Sequence, residues 1–160
     1  MPKTANFEKL AKDYIEYSIW FVHYGAGIFE EYKRKVRKSV IELEQDGDSR
    51  QGLFEKASQT IEYQGHPKEN SSDVVNEICG TGSEHAFKLI KIIIALSPND
   101  DQLLGFIGAG LFEDWIKNAK YKNFKSEIES LIETNKKWAL VVKNSWYNPE
   151  SLESKIMRDK

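Results

Sequence analysis

Three histidines, one cysteine and a few clustered carboxylates are the groups in this 160-residue chain that could do catalytic or metal chemistry, and their spacing decides what they can do. Histidine comes first because its pKa lies near neutrality. His23, His66 and His85 stand far apart and no H-E-x-x-H sequence is present, so each is read as a capping or exposed residue. Cys79 has no C-x-x-C partner and no activating base beside it, which makes it a small buried hydrophobe. Asp46, Asp48 and Glu55 suggest a calcium loop, but Arg50 and Gln51 occupy the places that need an oxygen ligand and a glycine. Gly80 and Gly82 begin a G-x-G whose sixth place is His85; no strand precedes it and no P-loop lysine follows. No catalytic residue, metal site or cofactor is expected.

Two charged stretches bear on binding. Lys33, Arg34, Lys35, Arg37 and Lys38 form the strongest positive run, and phosphate contacts from such residues supply most non-specific nucleic-acid affinity. Glu30 and Glu31 precede Arg34 and Lys35 by four residues in the order that favours helix ion pairs, so a solvated helix face is the better reading. Lys136, Lys137, Trp138, Lys143, Trp146 and Tyr147 mix cations with aromatics as single-strand binders do. Trp138, Val142 and Trp146 recur every four residues, however, which is a core pattern that leaves the lysines to solvent. The whole chain balances 23 basic against 25 acidic residues, and a net charge of −2 announces neither a nucleic-acid nor a membrane partner.

The elements that position these groups read as helices. Phe7, Leu10, Tyr14 and Phe21 recur at helical spacing after an Asn6 cap, and Gly25 and Gly27 break the pattern. A second helix opens near Ile28 with Phe29, Tyr32, Val36, Val40 and Leu43 in one narrow arc. Leu53, Phe54, Ala57 and Ile61 form a third, ended by Gly65, His66 and Pro67. Lys68 to Ser72 reads as a loop, with Ser72 capping a helix that carries Val74, Val75, Ile78 and Cys79. Thr81 and Glu84 have capping-box spacing for the next helix, Ser83 to Leu96. Its apolar residues cover most of the circumference, leaving Glu84, Lys88 and Lys91 as a polar wedge, as befits a helix at the centre of a core. Ile92, Ile93 and Ile94 in succession also suit a buried strand.

Asn99 is expected to cap a helix beginning at Asp100 and Asp101, and Gly108, Ala109 and Gly110 to break it before Leu111. Helices around Phe124 to Ile132 and Trp138 to Trp146 follow. The expected fold is all-α, with seven or eight short antiparallel helices around a central apolar one in a single domain, 1–148, followed by an exposed helical tail, 149–160. No apolar run approaches the roughly 20 residues that cross a bilayer. The charged residues after Lys3 make the N-terminus part of the fold, and the lone cysteine fits a cytoplasmic location.

Ala109, Gly110, Leu111, Phe112, Glu113, Asp114, Trp115 and Ile116 resemble the A-G-P-L-E-D-L-L signature of an uncharacterised bacterial all-helical domain family. Ala86, Phe87, Leu89 and Ile90 echo its upstream A-W-x-L-I helix, and Asp100 and Asp101 its acidic turn, so that the resemblance covers about half the chain. Leu111 replaces its proline, and Phe112 and Trp115 its leucines, marking a divergent member; the family implies no catalytic residues. Glu113 and Asp114 are its acidic pair, read either as helix-start carboxylates or as a recognition surface.

Small helical bacterial proteins without a catalytic constellation are often binding modules. The expected function is therefore a non-enzymatic immunity protein that occludes the active site of a toxin, its cognate protein partner, using Asp100, Asp101, Glu113 and Asp114 against a basic surface. A nucleic-acid binder using the Lys33 to Lys38 face is the alternative, and a hydrolase whose residues meet only in the fold is a third reading.

Overall fold

A computed structural model describes residues 4–45, 47, 52–61 and 65–145. The chain is all-α: among the described residues nine α-helical segments, two π-turns and one 3-10 turn occur, and no strand. They are α1 (Thr4–Trp20), a π-turn (Phe21–Gly25), α2 (Ala26–Gln45), α3 (Leu53–Thr60), α4 (Glu69–Cys79), α5 (Glu84–Leu96), α6 (Asp101–Ile107), a second π-turn (Gly108–Phe112), α7 (Glu113–Asn118), the 3-10 turn Tyr121–Asn123, α8 (Lys125–Thr134) and α9 (Lys136–Lys143). The contacts gather into two units, one holding residues up to 19 together with those from 67 onward, the other holding 20–66.

In the larger unit α5 is the central helix, as its composition requires. Ala86, Phe87, Leu89, Ile90, Ile93 and Ile94 are all buried, and the three isoleucines lie in a helix rather than a strand. Phe87 stacks on Trp115 with centroids 4.7 Å apart and meets Phe124 and Trp138 edge to face. Burying each large side chain of this kind contributes about 1.5–3 kcal/mol. Both ends of α5 are satisfied. Ser83 Oγ accepts from Ala86 N, while Thr81 Oγ1 bonds Ser83 Oγ, so Ser83 is the cap instead of the expected Thr81–Glu84 box. At the other end Lys137 Nζ donates to the carbonyls of Ala95 (3.2 Å) and Ser97 (2.6 Å), placing a cation on the negative end of the helix dipole. Lys137 is thus engaged in the fold and not left to solvent.

The two expected glycine breaks do not occur. Gly25 ends a π-turn between α1 and α2, and its missing Cβ makes room for Trp20: a methyl there would sit 2.5 Å from the indole ring. That clash spans five residues, the spacing that a π-turn brings into register. Gly108 begins the other π-turn, where an added Cβ would lie 2.1 Å from the Val141 carbonyl oxygen. Glycine lowers helix stability but does not forbid a helix, and here it lets α9 approach the backbone. Other boundaries shift as well. Glu69 starts α4 inside the expected loop, Ser72 is buried within that helix, and the side chain of Asp100, not Asn99, caps α6. The expected tail over 149–160, the calcium-like residues Asp46, Asp48, Arg50 and Gln51, and Trp146 lie outside the described residues.

In the smaller unit α2 packs on α3 through Val36, Leu53 and Ala57, which are buried. The narrow apolar arc expected along α2 is only partly inside, since Phe29 is exposed while Val36 is covered.

Candidate functional site

The π-turn at Phe21–Gly25 and the first half of α2 build an exposed apolar surface on the smaller unit. Tyr24 is 68% exposed, Ile28 37% and Phe29 39%. A cleft of about 740 Å³ runs beside them, lined by His23, Tyr24, Ile28, Tyr32, Lys35 and Ile61. Ile28, Tyr32 and Lys35 recur at steps of four and three, so one helix face carries them, and the π-turn adds His23 and Tyr24 to the same cleft. Large apolar side chains left open in a cluster mark interaction surfaces more often than scattered single ones do.

The positive run lies on the same helix and is interleaved with acids. Lys33 pairs with Glu30 at 2.6 Å, its ammonium resting 4.8 Å from the centre of the Phe29 ring. Arg34 grips Glu31 with two hydrogen bonds, 2.6 and 3.0 Å long, which hold the Glu31 carboxyl below the usual carboxylate range. Lys35, Arg37 and Lys38 are exposed.

The four carboxylates expected to form one recognition patch are distributed along α6 and α7 instead. Asp100 is committed to its own helix, accepting from Gln102 N and Leu103 N. Asp101 is exposed. Glu113 is buried and 3.3 Å from Lys117, whereas the exposed Asp114 lies 3.9 Å from the same ammonium. Asp101 and Glu113 are twelve positions apart along the helical run, roughly 18 Å at about 1.5 Å per residue. Neither Glu113 nor Asp114 meets free backbone amides, because the second π-turn continues directly into α7.

No known protein family, curated protein or solved structure matches this chain.

The remaining chemical groups are placed as follows. Cys79 is buried; burial, with the charge of Asp114 adding to it, pushes its thiol up to about 12, so almost no thiolate exists near neutral pH. His85 packs on the Phe7 ring at 4.6 Å with its Nε2 enclosed, His66 on Trp20 at 5.2 Å, and His23 is exposed beside Tyr24. Among the described residues no group of three or more His, Cys, Asp or Glu side chains could hold a metal ion. Asp13 is a buried acid held by two lysines: burial raises its pKa, but Lys9 at 3.2 Å and Lys68 at 3.3 Å outweigh that and hold the carboxyl below its ordinary value. Ser71 Oγ also donates to it, at 3.3 Å, tying α1 to α4.

Sequence reasoning missed the exposed set. Tyr24 was hidden by treating Gly25 and Gly27 as a chain break, and Phe29 by assigning it to the core. The signal that could have found them is an aromatic and an aliphatic residue on both sides of glycines that remain helical. No described helix is long and apolar enough to cross a membrane.

Proposed function

We propose that this chain is a non-enzymatic protein-binding module, acting as an immunity-type inhibitor that covers the active site of a bacterial toxin. The observation that carries the reading is the exposed cluster Tyr24, Ile28 and Phe29 beside the cleft at the first π-turn. Aromatic and aliphatic anchors of this kind supply most of the affinity in protein interfaces. The occupant suited to it is an apolar protrusion of the toxin flanked by charge, because Glu31 and Lys35 stand on the same lining and offer both signs. Asp101 and Asp114, the exposed members of the acidic set, act in steering a basic partner, which raises the association rate more than the affinity. On this reading the Ala109 to Ile116 resemblance makes the chain a divergent relative of that bacterial family.

The nucleic-acid alternative on Lys33, Arg34, Lys35, Arg37 and Lys38 is less well supported, since Glu30 and Glu31 already engage Lys33 and Arg34. The deciding experiment is co-expression with the toxin encoded beside it. Growth of the poisoned cells is restored by the natural chain and lost with Tyr24→Glu/Ile28→Glu, a variant whose exposed sites leave its helicity intact. Continued killing in the presence of soluble, folded natural protein overturns the proposal. Binding to DNA or RNA that weakens steeply with salt and vanishes in Arg34→Glu/Arg37→Glu supports the alternative in its place.

A further inference from the structure

A second cleft, confined to the larger unit, has a different chemistry. It encloses about 420 Å³ between α5 on one side and the end of α7, the 3-10 turn and α8 on the other. Small-molecule sites span about 300–1,000 Å³. Its apolar floor is Phe87 and Phe124, whose rings meet edge to face at 5.2 Å.

Three lysines line this space, and they differ. Lys91 is occupied: its ammonium lies 2.6 Å from Glu127 and 4.9 Å from the centre of the Phe87 ring. Lys88 and Lys120 have no ion-pair partner among the described residues, although they come from separate elements to the same concave surface. With Lys91 set against Glu127, the lining carries Lys88 and Lys120 against the single carboxylate of Glu84, so the recess is net positive and favours an anion. The neutral and acidic lining suits the rest of such a ligand. Asn118 spends an amide N–H on the Asp114 carbonyl at 3.2 Å, which leaves its oxygen to accept, and Asn123 and the Glu84 carboxylate add further acceptors for hydroxyl groups.

The recess is preformed. Gly82 on its rim has φ +67°, and an added Cβ would lie 2.3 Å from the Asn118 carbonyl carbon, so the loop before α5 is fastened to the end of α7. Only glycine takes that backbone conformation at such close approach without strain.

We propose that this cleft binds a small polyhydroxylated phosphate ester, with the phosphate between Lys88 and Lys120 and the hydroxyl groups on Asn118, Asn123 and Glu84. The proposal is independent of the docking surface at the first π-turn. Calorimetric titration of the purified chain at low salt with glucose 6-phosphate, inorganic phosphate and glucose tests it. The ester binds, while inorganic phosphate binds more weakly and glucose more weakly still. Lys88→Gln and Lys120→Gln each reduce the affinity for the ester by about tenfold or more, as loss of a charge-assisted hydrogen bond does. Lys122→Gln, an exposed lysine outside the lining, leaves the affinity unchanged. Absence of ester binding at about 10 mM, or an equal loss in all three lysine variants, overturns the site. Inorganic phosphate binding as tightly as the ester overturns the role given to the hydroxyl acceptors, and glucose binding as tightly as the ester overturns the role of the lysines.

Discussion

Individual residues in this protein are constrained most where backbone meets backbone. Gly108 and Gly110 lie two residues apart in the same π-turn, yet a methyl group at Gly108 would collide with Val141 O at 2.1 Å while one at Gly110 would meet nothing within 4 Å. A carbonyl of α9 cannot swing aside as a flexible side chain can. Gly108→Ala is therefore expected to lower unfolding stability by about 1–3 kcal/mol or more. Gly110→Ala is expected to leave it unchanged or raise it by up to about 1 kcal/mol, as alanine does when it replaces a helical glycine. Urea unfolding followed by circular dichroism measures both, and equal effects would show that the close packing of α9 on the turn is not what Gly108 serves.

At the scale of elements, helix ends separate folding roles from binding roles. Asp100, which the sequence alone offers as a partner-recognition carboxylate, satisfies two amides at the start of α6. Asp100→Ala is expected to cost about 1 kcal/mol through loss of the cap, whereas Asp100→Asn keeps the cap and removes only the charge. Thermal unfolding of the two variants checks this; a loss in Asp100→Asn as large as that in Asp100→Ala would assign the stabilisation to charge on the helix dipole instead of to capping. The elements themselves were largely legible in the chain. Ala86 through Leu96 announces a buried helix, because six of its apolar residues have no other place to go. Local propensity reads Gly25, Gly27, Gly108 and Gly110 as helix breakers, while the close approaches that call for glycine are to Trp20, five residues before Gly25, and to Val141 across the fold from Gly108. Val141 is more than thirty positions distant from Gly108 in the chain, and no local pattern reports it. The candidate surfaces were less legible still. Asp100, Asp101, Glu113 and Asp114 look like one set in sequence, but helix rise separates them; Lys88 and Lys120 look unrelated, but the fold brings them to one recess.

Over the whole molecule, apolar burial is uneven between the two units. The larger contains one continuous core running from Phe7 to Val142, whereas Val36, Leu53 and Ala57 are the fully covered apolar side chains described in 20–66. Segments with few buried apolar contacts open at lower free energy than the core around them. Amide hydrogen exchange is accordingly expected to be faster across α2 and α3 than across α5 by at least about tenfold, in a manner set by local opening and not by global unfolding. Uniform protection from α2 through α9 would mean that the two units unfold together.

The indole of Trp115 is sealed from solvent and donates its N–H to the Ser83 carbonyl at 2.9 Å, with Phe87 stacked on it and Phe124 at its edge, 5.0 Å away. Those same two phenylalanines form the floor of the lysine-bordered recess. The protein therefore carries a built-in fluorophore directly beneath that recess, shielded from collisional quenchers such as iodide. A molecule settling on the floor is expected to change the light this indole emits, read as a change over the emission of Trp20, Trp138 and Trp146, without attaching any dye.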